Sequence, residues 1–265
     1  MTRFALTTFF ALWIFVSAAL ADLKVGTLNC YLLFAPGSDP GGQLKDVALA
    51  PDAYTEKVTH LASLVKGLDF VGLEELGGEV DAKNMANAAG TYQPLFVQGK
   101  DTYTGEDVGA LVLKRSGIIV KKTSRVPALE NLSKHLLVTL DADGKRYAVL
   151  VVHLLRPIGK NEGKHLAQLD SIRDWAESLK KSAPDTTIVV LGDFNNDGKK
   201  LLPLEDSAAV TNYAPTHLTG KAYDHIFTSG KLNAVEIVRP PLPKRPNDTL
   251  KALWTDHFLV KCVLR

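Results

Sequence analysis

Runs of apolar residues in this chain repeatedly stop at residues that carry oxygen or imidazole. Asn29 closes KVGTLN, Glu74 and Glu75 close FVGLEE, His153 closes AVLVVH, and Asp193 and Asn195 close IVVLGDFN. Asp224 opens DHIF, and the pair Asp256-His257 stands at the head of HFLV. If these strand ends converge on one edge, they make a patch of carboxylates, amides and two imidazoles. Oxygen donors of this kind select a hard divalent cation, Mg2+ with Mn2+ or Ca2+ as alternatives. The lack of paired Cys and His ligands argues against a structural zinc site.

The elements that must position these residues are short. LKVGTLNCYLL, DFVGLEE, YQPLFVQ, VGALVLK, GIIVKK, LLVTLDA, YAVLVVHL, TTIVVLGD, YDHIFTSG, AVEIVRP and HFLVKCVL are apolar or alternating runs that predict strands. Tyr54, Val58, Leu61, Ala62, Val65 and Leu68 fall on one helical face, as do Leu166, Leu169, Ile172, Ala176 and Leu179. Many strands with few inserted helices predict two packed sheets with helices outside, an α/β sandwich and not a doubly wound parallel sheet. LDADGKR predicts a hairpin with Asp143-Gly144 at its tip.

Residues 1–21 read as a secretory signal peptide, with Arg3 before an apolar run from Phe4 to Val16 and small residues in SAALA ahead of Asp22. That run is short for a membrane span, so no stable membrane anchor is expected. Residues 22–265 carry no repeat or linker and read as one domain, monomeric and exported to a periplasm or beyond the cell. FAPGSDPGGQ (34–43) and RPPLPKRPND (239–248) predict long surface loops. A formal net charge of +2 excludes the strongly basic balance of a dedicated nucleic-acid binder. Cys30 and Cys262 lack metal-ligand spacing, and they are expected to stay unbridged. Cys30 adjoins the site end of the first strand, whereas Cys262 lies well down a strand that runs the other way.

Taken in order, TLN, VGLEEL, VVHL, LGDFNND, YDHIF and TDHFLV resemble the motifs of the endonuclease/exonuclease/phosphatase superfamily, and the last two look most like deoxyribonuclease I and its relatives. The resemblance implies a four-layer α/β sandwich, two packed mixed β-sheets flanked by helices, that hydrolyses phosphate esters with a divalent metal. It also implies roles. Glu75 matches the metal-binding acid, Asn29 the ligand beside it, and Asp256 a further ligand or a supporting group. Glu74 stands where the family usually has Gln. His257 matches the general base that takes a proton from water, and Asp224 the carboxylate that orients it. Asp193 and Asn195 match residues against the scissile phosphate, and His153 a second imidazole that stabilises charge or protonates the leaving oxygen.

Two positions depart from the pattern. Gln98 stands about where the deoxyribonucleases pair a Glu with the second histidine, and Lys134 replaces a phosphate-gripping Arg, which loses the bidentate fork. The basic groups expected near the site are Lys134, Arg156 and Lys114-Arg115. The expected function is an exported phosphodiesterase, foremost a nuclease with nucleic acid as substrate. The alternative is a phospholipid or small-molecule phosphate hydrolase of sphingomyelinase or inositol-phosphate phosphatase type. The intact motif set argues against a third reading, a binding module that has lost catalysis.

Overall fold

A computed structural model describes residues 22–38, 44, 48–196, 209–210, 214–240 and 255–265. The expected signal segment, half of the loop at 34–43 and most of the loop at 239–248 lie outside the described residues.

Two six-stranded sheets form among the described residues. The first runs β11 (Leu232–Val238), β12 (Leu259–Leu264), β1 (Leu23–Leu33), β2 (Phe70–Leu76), β4 (Asp107–Leu113) and β3 (Tyr92–Phe96). The second runs β5 (Ile118–Ser124), β6 (His135–Ala142), β7 (Lys145–His153), β8 (Thr186–Asp193), β10 (Asp224–Thr228) and β9 (Ala209–Val210). β1 is parallel to β2 and β7 to β8, and the other pairs are antiparallel. Both sheets are therefore mixed.

The central strands are apolar on both faces because both faces are covered. In β8, Val189 and Leu191 pack between the sheets, while Ile188 and Val190 face helix α3 (Glu162–Ser182). Helices α1 (Pro51–Val65) and α2 (Glu79–Ala89) cover the outer face of the first sheet through Val58, Leu61, Met85 and Ala86. The layers are helix, sheet, sheet, helix, as the sequence implied. The fit is close, and truncating the fully buried Leu191 to alanine would cost about 2–5 kcal/mol.

Three local readings meet different outcomes. Asp143 and Gly144 adopt φ of 49° and 84° at the tip of the β6–β7 hairpin, the left-handed pair that a tight two-residue turn requires. Leu166, expected on the buried face of its helix, is exposed, and His165, Gln168, Leu169 and Ile172 make that face instead. Helix α2 was not expected, because its buried stripe of Ala82, Met85, Ala86 and Ala89 is mostly alanine and gives little apolar contrast. Both cysteines are free and buried, and Cys262 stands opposite Val25, away from Cys30.

Candidate active site

The sheet order explains why the polar strand ends meet. In the first sheet, β12, β1 and β2 are neighbours, so His257, Asn29 and Glu75 lie side by side. In the second sheet β7, β8 and β10 are neighbours, and register pairs His153 with Asp193 and Asp193 with Asp224. The two rows face each other across the sandwich and each pair is in contact. Asn29 Nδ2 donates to Asp193 Oδ2 at 3.0 Å, His257 Nδ1 lies 2.8 Å from Asp224 Oδ2, and His153 Nε2 lies 4.0 Å from Glu75 Oε1.

Local backbone geometry sharpens this arrangement. Tyr31, Leu32, Glu75 and Asn195 all have left-handed φ, at 45°, 54°, 59° and 50°. Non-glycine residues held there cost of order 1–3 kcal/mol each and tend to cluster at functional sites. Gly192 is needed by close approach, since a Cβ there would sit 1.9 Å from the Val152 carbonyl oxygen. That approach sets β8 against β7 one residue before His153 and Asp193.

Asp193 is the hub. Its Oδ1 accepts from the Asn195 amide at 2.7 Å, and its Oδ2 lies 3.7 Å from His153 Nε2 and 3.8 Å from His257 Nε2. Burial raises its carboxyl to about 6, against the lowering pull of His257. Burial and the neighbouring Glu106 carboxylate likewise raise Glu75 to about 7. Glu74 is wholly buried and held well above the usual range by that burial, with Oε1 accepting from Thr27 at 2.7 Å. It is an acid of the core next to the site.

The two imidazoles differ. Burial alone would lower His257, but the charges of Asp224 and Asp193 overcome it and hold the ring well above its ordinary value. With Nδ1 committed to Asp224, Nε2 is the nitrogen that faces Asp193 and Asp256. His153 is pushed well below its ordinary value, first by burial and then by Lys134, His257 and Arg156. Its Nδ1 has no hydrogen-bond partner, and at neutral pH the ring is uncharged.

Several expected roles change. Asn29 was expected to offer oxygen to a metal, yet its Oδ1 accepts from the Tyr31 amide at 2.9 Å while its Nδ2 donates to Glu75 and Asp193. Its amide nitrogen spaces two carboxylates, and its oxygen is held by the Tyr31 amide. Lys134 was expected to grip phosphate, but it is buried and closed by Glu106 at 2.8 Å and Asp101 at 3.3 Å. Gln98 donates to Asp107, and the carboxylate near His153 Nδ1 comes from Glu106, at 3.9 Å. Asn195 gives its side-chain amide to the Leu154 carbonyl at 3.0 Å and also lines a recess of ≈ 220 Å3 with Arg156, Ile158, Lys221 and Tyr223.

The atoms able to bind a cation fall into overlapping groups, each within 4.8 Å: Glu75, His153 and Asp193; Asp193, Asp224 and His257; His217, Asp256 and His257. The chemistry fits a divalent cation. Half-buried Glu75 and buried Asp193 have no Lys or Arg nitrogen within 4.0 Å among the described residues, and Asp256 Oδ1 is buried without a partner.

His217 was missed by sequence reading. Its Nε2 lies 3.1 Å from Asp256 Oδ2, and its ring stands edge-on to His257 at 4.7 Å. It lies outside the named strands and helices and reaches Asp256 and His257 from far along the chain, so no periodicity marks it. Glu106 was also missed, although its place just before β4, whose start pairs with the end of β2, was a usable signal.

No protein-family model matches the chain, and no curated protein does. Solved structures do. An endonuclease/exonuclease/phosphatase family protein from Bacteroides thetaiotaomicron superposes with a TM-score of 0.67 at 17% identity, over 92% of this chain and 98% of that one. The fold is that of the endonuclease/exonuclease/phosphatase proteins. A mannosyl-6-phosphatase from the same organism gives 0.64 at 17% identity, covering 92% and 99%. D. rerio TDP2 complexed with a single-strand DNA product gives 0.64 at 12% identity, covering 92% and 99%. At these identities the likeness to the endonuclease/exonuclease/phosphatase proteins is one of architecture, and the site speaks through its own geometry.

Proposed function

We propose that this chain is a divalent-metal-dependent phosphoric ester hydrolase that acts on phosphodiesters, exported as the signal-like segment suggests. The observation that carries the reading is a buried carboxylate, Asp193, set between two imidazoles of opposite electrostatic character. A divalent cation bound among the acids would supply positive charge to the phosphoryl oxygens. Glu75 and Asp256 are the oxygen ligands proposed for it, with Asn29 holding Glu75 in position.

The rest of the chemistry belongs to side chains. His257 takes the proton of the attacking water at Nε2, and Asp224 keeps Nδ1 protonated and stabilises the imidazolium. Asp224, Asp193 and Asp256 all raise His257, so cation charge that offsets those carboxylates would favour its action as a base. Neutral His153 donates a hydrogen bond to a phosphoryl oxygen, and so does the remaining amide hydrogen of Asn195. Such preorganised donors act where charge builds in the transition state.

A nuclease is the first substrate reading, and TDP2 with its DNA product is a precedent for this architecture. One observation favours a smaller ester. Of the cations expected along a nucleic-acid track, Lys134 is closed by two acids, and Arg115 is tied to Asp69 and Asp143 at the other end of the sandwich. Arg156 and Lys221 line the recess, whose size suits a single substituent. Single-stranded DNA, RNA, bis(p-nitrophenyl) phosphate, sphingomyelin and a sugar phosphate, each assayed with Mg2+ and with a chelator, test the reading. Chelator-sensitive hydrolysis of any of them supports the class, and the substrate turned over fastest names the subclass. No turnover of any ester with Mg2+, Mn2+ or Ca2+ would overturn it.

A further inference from the structure

Lys57 is a cation buried in α1, only 1% exposed, and no carboxylate lies within 4.0 Å of its Nζ among the described residues. Burying an ammonium without an ion pair is costly, and methionine would fill the same space. The group has a specific task instead. Its Nζ donates to the backbone oxygen of Tyr31 and lies 5.6 Å from the centre of the Tyr31 ring.

Tyr31 and Leu32 are the two consecutive left-handed residues that break the register of β1 against β2 between Asn29 and Leu33. This turn points two backbone amides at the site. The Tyr31 amide donates to Asn29 Oδ1 at 2.9 Å, and the Leu32 amide donates to Glu75 Oε2 at 3.0 Å. Asn29 in turn fixes the other Glu75 oxygen at 2.9 Å. Both oxygens of Glu75 thus depend on one turn, and the turn is tied from below by Lys57.

We propose that Lys57 is a positioning residue for the cation site, acting through the Tyr31–Leu32 turn that orients Asn29 and Glu75. The inference rests on the metal-dependent reading above. Groups that orient ligands from outside the coordination sphere typically change metal affinity or activity by about 10- to 100-fold when removed. A like charge near a metal site would have the opposite effect on removal, so the direction of change discriminates.

The test is direct Mn2+ binding to the purified full chain, measured by calorimetry or electron paramagnetic resonance, so that no turnover is needed. Lys57→Met should raise the Mn2+ Kd about 10-fold or more, and Lys57→Arg, which keeps a buried donor, should recover most of the loss. Met85→Ala, a cavity in the helical layer that leaves the Lys57 hydrogen bond to Tyr31 in place, should lose stability and keep its Mn2+ affinity. If Lys57→Met does not fold, Lys57→Gln decides by the same measurement. An unchanged or tighter Kd in the Lys57 variants, or an equal loss in Met85→Ala, would overturn the proposal. Absence of Mn2+ binding in the unaltered protein would instead sink the metal-dependent reading on which it rests.

Discussion

The two ends of the sandwich treat their acids in opposite ways. At the end away from the site, Arg115 gathers two carboxylates, with Nε 2.7 Å from Asp69 Oδ1 and a terminal nitrogen 2.8 Å from Asp143 Oδ2. The hydrogen bond from Arg115 holds the Asp143 carboxyl below its usual range. At the site end, Glu75 and Asp193 have amides and imidazoles for neighbours and no guanidinium or ammonium within 4.0 Å among the described residues. Their carboxyls rise to about 7 and about 6, each driven first by burial. Acids paired with arginine at one end and left without a cationic partner at the other make the second end the one able to take a cation from outside. Acids in such a state are a liability for folding and an asset for binding.

The largest effect expected from this contrast is at Glu75. Glu75→Gln should bring hydrolysis below detection and abolish high-affinity metal binding, while leaving the metal-free protein as stable as the wild type or more so. Wild-type metal affinity in the variant would remove Glu75 from the site.

His257 comes next. Replacing it with alanine should cut kcat by about 10²- to 10⁴-fold, the usual worth of a positioned base. Asp224→Asn should lose a similar share, and the double variant should be little worse than His257→Ala, because residues that act as one unit are not additive. Fully multiplicative losses would separate the pair.

A third effect is on stability. A carboxyl whose folded pKa lies above its unfolded value binds its proton more tightly in the folded state, so stability is greatest below the unfolded value and falls as pH rises toward the folded one. For Glu75 the window runs from 4.5 to about 7, and for Asp193 from 3.8 to about 6. The metal-free protein should therefore lose thermal stability between about pH 4 and pH 7, and Mg2+ should restore it at the upper end. A midpoint that rises over that window in chelator would contradict the assignment of these acids.

The smallest effect belongs to the opposite end. Arg115→Met should lower the thermal midpoint by a few degrees and leave kcat/KM within about twofold, since its pairs are partly exposed and far from the chemistry. A large loss of activity there would mean that the two ends are coupled.

The sequence exposed one part of this contrast well. Strand ends at Asn29, Glu75, His153, Asp193 and Asp224 are legible because short apolar runs meet abrupt polarity there. The two-sheet architecture follows from the same runs. Side-chain roles that depend on backbone detail were not legible. Whether Asn29 presents oxygen or nitrogen is decided by a left-handed turn at Tyr31 and Leu32 that neither residue's type announces. Lys134 could be read as a free cation only until Glu106 and Asp101, distant in sequence, were seen to close it. His217 and Lys57 reach the site through contacts distant in sequence, which leave no local pattern.

The central claim is that the buried acids await a divalent cation. Calorimetric titration of the metal-free chain with Mn2+ near pH 6.5, repeated in buffers of different ionisation enthalpy, tests it most directly. Because Glu75 and Asp193 titrate at about 7 and about 6, part of the population is protonated at that pH, and binding must displace those protons. The account predicts saturable binding with net proton release in the unaltered chain and loss of both in Glu75→Gln. No saturable binding, or binding with equal proton release in the variant, would contradict it.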